Sequence, residues 1–275
     1  MNGPDLEIEY GQMKCGLTYE GAYLTFLKFK DIDIIQKSLD GHQTHGGSAV
    51  LIPYANRIKG AEYSFGGRKY SLPEDNEGNS IHGLVRNEKW EARKISDNKI
   101  ELLHVMHNEG YPSPARVSVI YSLSEFSFSV IATCQNIGLR EAPLMIGFHP
   151  YFGFKEWNIS CTSPLYLLER DESYWPNGEL SRTNTDEVNS TNTFDDPFLC
   201  YGDVYIRSPE LDLKMERFNM PFLHVYNGKY SRGTSVAIEP MTGAPDCYHN
   251  NIGLLTLSSG DTFTCGFRIE IHPKP

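Results

Sequence analysis

The sequence predicts an all-β chain arranged as two packed antiparallel sheets or a barrel-like relative. Three observations carry that expectation. Apolar residues recur at period two rather than 3.6 in the segments rich in β-branched and aromatic types. The chain holds 24 glycines and 16 prolines among 275 residues, so turns come often. No long window sustains an apolar stripe at helical spacing, and the regular crossover helices of a parallel βαβ architecture are not found.

Taken in order, residues 117–123, VSVIYSL, read as a strand on their β-branched and aromatic content. Residues 126–133, FSFSVIAT, alternate with Phe126, Phe128 and Val130 on one face. The apolar run LMIGFH, bracketed by Pro143 and Pro150, reads as a strand that ends near His149. The polar stretch 181–193, SRTNTDEVNSTNT, reads as a surface loop with the same β pattern on each flank. Residues 204–207 and 211–215 are short strands split by a serine-proline turn. VAI, 236–238, is a strand that Glu239 closes before a proline. The final segment, TFTCGFRIEIH, puts Phe263, Cys265, Phe267 and Ile269 on one face. With no fixed repeat and no convincing linker, the expectation is a single domain over residues 1–275.

The formal net charge of -10, with no basic stripe, argues against nucleic acid as a partner and is compatible with a neutral ligand. Six scattered cysteines show neither CxxC nor zinc-knuckle spacing, in a chain large enough to stand without disulfides. The first residues lack a basic region leading into an apolar stretch, and no apolar run reaches membrane-spanning length. A cytoplasmic location with reduced thiols and no membrane partner is expected.

Four places resist a purely structural reading. In LIPYANRIKGAEYSFGG, 51–67, Asn56 and Arg57 follow an apolar stretch. They are either a solvated strand end or a donor fork over a polyhydroxy ligand. In NSIHGLVRNEKW, 79–90, His82 precedes a glycine, with Arg86 and Trp90 close behind. That histidine is either a surface turn residue or a site residue, and Trp90 is most simply core. His149, inside LMIGFHPYFGF, is either a hydrogen-bonded histidine at the edge of the core or a catalytic one. In VAIEPMTGAPD, 236–246, Pro240 restricts Glu239 to extended geometry, and partial burial would raise its carboxyl towards the range of a useful base. His149 and Glu239 stand 90 positions apart, so local spacing does not say whether they meet.

These pieces, taken together and in order, resemble the aldose 1-epimerase, or mutarotase, family and its hexose-phosphate epimerase relatives. The matching residues are Asn56-Arg57, His82-Gly83, HPYF at 149–152, FDDPF at 194–198 and EPMTGAPD at 239–246. The resemblance implies a large antiparallel β-sandwich of the galactose mutarotase type, often called a supersandwich, with a sugar cleft on one face. It implies Glu239 as general base and His149 as general acid. Arg57 and His82 would bind hydroxyls, supported by Asn56. Either Asp195 or Asp196 would be the substrate-binding aspartate, with Asp195 slightly ahead, and Arg86 would bear on substrate choice.

The implied chemistry needs no cofactor and no metal. A base takes the proton of the C1 hydroxyl, an acid protonates the ring oxygen, and the C1–O5 bond opens to an aldehyde that recloses on its other face. An imidazolium at His149 is therefore expected in the resting complex, maintained by a nearby carboxylate. The partner the resemblance implies is a monosaccharide such as glucose or galactose, and a monomer or homodimer is expected. Rival readings are a hexose-6-phosphate 1-epimerase, which would need a basic cluster drawn from Arg57, Arg86 and Lys89, and a non-catalytic carbohydrate-binding domain. A glycoside hydrolase would pair Glu239 with Asp195 or Asp196 and leave His149 without a role. A metal site of His82, His149 and Glu239 has suitable ligand types but no HxH or HExxH spacing.

Overall fold

A computed structural model describes residues 3–172 and 174–274. Two large antiparallel sheets are present, one of 11 strands and one of 8. The smaller runs, in spatial order, through Glu91–Ser96, Lys99–Met106, Ala115–Leu123, Ser127–Asn136, Thr262–Pro273, Leu211–Phe218, Val204–Arg207 and Asn158–Cys161. Alternation explains it. In Ala115–Leu123 every second side chain, from Ala115 through Val117, Val119 and Tyr121 to Leu123, is buried. In the last strand Cys265, Phe267 and Ile269 are buried while Thr262 and Arg268 are exposed. Phe126 falls outside its expected strand, which begins at Ser127, and its ring lies against Phe29. Among the described residues the one α-helix is the four-residue Cys247–Asn250. The polar stretch from 181 starts as the end of the Pro176–Thr183 strand, then turns through Thr185–Glu187 and sends Val188 into the core.

The larger sheet carries the site. In spatial order its middle strands are Gly147–Phe152, Val236–Met241, Phe222–Tyr226 and Asp195–Leu199. One face of these strands packs on the inter-sheet core through Phe148, Phe152, Ile238, Leu223, Val225 and Phe198. The other face carries a second apolar cluster that includes Ala49, Leu51, Tyr54, Met241 and Tyr248. Beside that cluster the same face opens into a cleft.

Two strand boundaries differ from expectation for one reason. The strand after LMI begins at Gly147 and runs to Phe152, so His149 is mid-strand and Pro150 lies within it, paired with Ser48. Likewise Val236–Met241 continues past Glu239, with Pro240 opposite Leu223. Proline fixes φ at a value compatible with extended backbone. It therefore does not have to end a strand where no ladder bond needs its missing N–H.

All six cysteines are free thiols, five of them buried. Among the described residues no helix is long and apolar enough to cross a membrane.

Candidate functional site

Strand register assembles the site. Residues two apart on a strand share a face, and directly opposed residues sit side by side. The His149 strand meets the Glu239 strand with Gly147 opposite Met241 and Tyr151 opposite Ala237. The same register sets His149 opposite Glu239. Across the next ladder His224 opposes Glu239, and one strand further Asp195 opposes Tyr226. Four adjacent strands thus deliver His149, Glu239, His224 and Asp195 to one face. They line a cleft of about 770 Å³ together with Asn56, Arg57, His82, Arg86 and Tyr151.

At its floor His149 Nε2 lies 3.4 Å from Glu239 Oε1, with both residues buried. Burial pushes the Glu239 carboxyl up to about 8. Burial, reinforced by the charge of His224, pushes the His149 imidazole down to about 3. Near neutral pH the pair is therefore a protonated carboxyl beside a neutral imidazole, not an ion pair. The imidazolium expected at His149 in the complex is therefore not the form that burial favours in the unliganded cleft, where desolvation outweighs the other influences on that ring. Among the described residues His149 Nδ1 and Glu239 Oε2 are buried without hydrogen-bond partners. Such atoms are costly unless a ligand meets them. The Tyr151 ring stacks on His149 at 4.9 Å, and its hydroxyl donates to Thr44 O, which fixes the imidazole plane.

Asp195 and His224 form a second pair, with Oδ1 and Nε2 2.7 Å apart. Burial alone would lower His224, but the Asp195 hydrogen bond and the charges of Glu239 and Asp195 raise it above its ordinary value. Burial alone would raise Asp195, but His224 holds the carboxyl below the usual carboxylate range. The Asp195 side chain keeps 46 % of its surface exposed, so it can also accept from a ligand. Asp196 points the other way along the strand and pairs with Arg170, away from the cleft lining.

The remaining residues come from two segments joined as a short ladder. Arg57 pairs with Ile81, and His82 N donates to Asn56 O. Asn56 and His82 both adopt positive φ, and Gly83 follows at φ 77. That turn lays the His82 ring over His149 at 5.2 Å, edge to face. Burial drives the His82 imidazole well below its ordinary value. Arg57 reaches Glu77 at 3.4 Å. Arg86 Nε is buried without a partner among the described residues. Asp246, the last residue of EPMTGAPD, accepts from Lys59 N and donates its own N–H to Arg57 O, so that motif also anchors the Arg57 segment.

Asn56, Arg57, His82, Arg86, His149, Asp195 and Glu239 thus share one cleft, and Asp196 does not line it. Sequence reasoning missed His224 and the stacking role of Tyr151. The available signal was period two in FLHVY, which puts Phe222, His224 and Tyr226 on one face. Among the described residues no three His, Cys, Asp or Glu side chains are grouped to hold a metal ion.

Known proteins similar to this chain bear on its fold and family. The chain is 27 % identical over 291 residues to the uncharacterized protein YihR of Escherichia coli, covering 98 % of this chain and 93 % of that one. It is 27 % identical over 199 residues to the galactose mutarotase of Sus scrofa, covering 64 % of this chain and 56 % of that one. The crystal structure of a putative aldose 1-epimerase from Escherichia coli superposes with a TM-score of 0.82 at 21 % identity over 98 % of both chains, a likeness of fold. The sequence model of the family described as aldose 1-epimerase matches residues 4–270, and the chain belongs to that family.

Proposed function

We propose that the protein is an aldose 1-epimerase that interconverts the α and β anomers of a free hexose such as glucose or galactose by acid–base ring opening. The observation that carries this reading is the His149–Glu239 contact of 3.4 Å on the floor of a polar cleft. The reaction needs one group at O1 and one at the ring oxygen, both bonded to C1. Two facing groups this close can address both oxygens at once.

In the opening step Glu239 as carboxylate takes the O1 proton, and His149 as imidazolium gives its proton to O5. The C1–O5 bonding pair leaves with O5, and an O1 lone pair completes the aldehyde. Rotation about C1–C2 presents the other carbonyl face, and closure returns both protons. Opening leaves Glu239 protonated and His149 neutral. That is the state burial favours in the unliganded cleft. The empty site is therefore matched to the open-chain aldehyde. The ring-opening state has the same proton count, with one proton moved from carboxyl to imidazole. Substrate hydroxyls bonding to the charged forms favour that move. Arg57, His82 and Asp195, supported by Asn56, hold the sugar hydroxyls.

The test is anomer exchange of α-glucose, α-galactose and xylose, by polarimetry or exchange NMR. H149N and E239Q should each lose roughly 10²–10⁴ in rate. Near-normal exchange in either variant would remove that residue's role. A second reading, a sugar carrying an anionic group such as glucose 6-phosphate, is favoured by the unpartnered Nε of Arg86. Against it, Arg57 is engaged by Glu77, and Glu74 and Glu88 also line the cleft. Faster exchange of glucose 6-phosphate than of glucose would decide for it.

A further inference from the structure

We propose that His224 is a positioning residue that acts through the base: anchored by Asp195, its imidazolium faces Glu239 from directly across the ladder and favours that carboxyl in its ionised form. The proposal rests on the reading of Glu239 as base. Its ground is an alternation across four neighbouring strands, Asp195, His224, Glu239 and His149, in which carboxyl and imidazole take turns. A buried carboxyl with no cation beside it keeps its proton and cannot accept one from O1. His149 cannot be that cation throughout, since the ring oxygen receives its proton. His224 does not have to give up a proton, and it is 2 % exposed with a carboxylate bound to Nε2.

Packing alone does not call for a histidine here. Its neighbours Leu223 and Val225 carry the strand's core contacts from the opposite face. The Asn56 contact does not fix its charge either. Asn56 Oδ1 accepts from Arg57 N, and Nδ2 stands 3.5 Å from His224 Nδ1, beyond ordinary hydrogen-bond length. The charged and titratable groups around His224 are Asp195 and Asp196 from one neighbouring strand, Glu239 from the other, His149 beyond it, and His82 and Arg57 from the paired segments. The carboxylates favour its charged form, and the influence of His224 on Glu239 is the largest that opposes burial there.

The experiment is a carboxyl ¹³C NMR titration of the unliganded protein with labelled glutamate. Glu239 is assigned by the signal lost in E239Q. In H224Q, whose amide can still donate to Asp195, the Glu239 midpoint should rise by about one pH unit or more. An unmoved or lowered midpoint overturns the proposal. This readout needs no turnover, so its failure is distinct from failure of the anomer-exchange reading, which an inactive wild-type protein would show. In the exchange assay the working form of the pair holds one proton, so the Glu239 midpoint sets the alkaline limb of kcat/KM; in H224Q that limb should move up equally, with about a tenfold loss per unit below it. A uniform loss at every pH, with the limb in place, would mean a structural role and also overturns the proposal. If H224Q does not fold, imidazole ¹⁵N shifts of the wild-type protein decide. His224 should become charged with a midpoint above that of an exposed histidine, and the Glu239 carboxyl signal should respond at the same pH. A His224 that stays neutral down to about pH 5 overturns the proposal.

Discussion

Glu239 and His149 are driven to neutrality from opposite sides, and that fixes how they couple stability to pH. In the unfolded chain the glutamate ionises near 4.5 and the histidine near 6.5, whereas in the fold the values are about 8 and about 3. Between the two unfolded values both states of the pair hold one proton, so the pair adds no slope. Above 6.5 the folded state holds the extra proton, and stability falls as pH rises to about 8. Below 4.5 the unfolded state holds the extra proton, and stability falls as pH drops towards about 3. A glutamine at 239 cannot ionise, so E239Q should gain about 2 kcal/mol on the wild-type protein between about pH 6 and 8, read by urea denaturation. A difference that does not grow over this range would refute the burial account. At this scale much of the site was legible. The ordered motifs bring Asn56, Arg57, His82, His149, Asp195 and Glu239 to one cleft. The role of His224 was not legible, because period two in FLHVY gives only its face and LHVYN carries no motif. Its position beside Glu239 comes from a ladder between strands that no local pattern reports.

The strands and turns that carry these residues show why some elements were readable and others were not. In the 8-stranded sheet, β-branched and aromatic content marked 117–123 and alternation marked 262–272, inside the strands Ala115–Leu123 and Thr262–Pro273. Gly147–Phe152 and Val236–Met241 are buried at every position, with the inter-sheet core on one face and the second cluster or the cleft on the other. A strand covered on both faces loses its alternation, and its limits cannot be read from period two. The prolines then suggested ends that the backbone does not have. The turn at His82 was legible from its glycine. Gly83 has φ 77, and a Cβ there would stand 2.3 Å from Ile52 O. That contact is with backbone, and Leu84 N donates to the same carbonyl, so relief requires the turn to move. G83A should destabilise the protein by about 1–3 kcal/mol and raise KM for the sugar by displacing His82. A melting temperature and KM equal to those of the wild-type protein would show that the turn does not hold this histidine.

For the whole molecule, the cleft and the core are two faces of the same strands. One apolar cluster runs from Ile8 near the start of the chain to Ile271 near its end and joins both sheets. On the site strand His149 faces the cleft, while its neighbour Phe148 crosses the core to meet Phe267 of the far sheet, ring centroids 5.4 Å apart at 72°. The strands that carry His149, Glu239, His224 and Asp195 thus belong to the sandwich itself, and the site should be lost when the sandwich melts and not before. Phe148→Ala tests this, because it empties the core side and leaves every cleft side chain in place. Removing a buried phenylalanine costs about 3–5 kcal/mol. For a chain of this size that lowers the melting temperature by roughly 6–15 °C. Heat inactivation of anomer exchange and the change in fluorescence of the buried Trp90 and Trp157 should coincide in the wild-type protein. In F148A both should move down together by the same interval, with kcat/KM at about 20 °C within a few-fold of wild type. Activity that disappears well below the fluorescence transition would mean that the cleft opens independently of the core, and the two-faced account of these strands would fail.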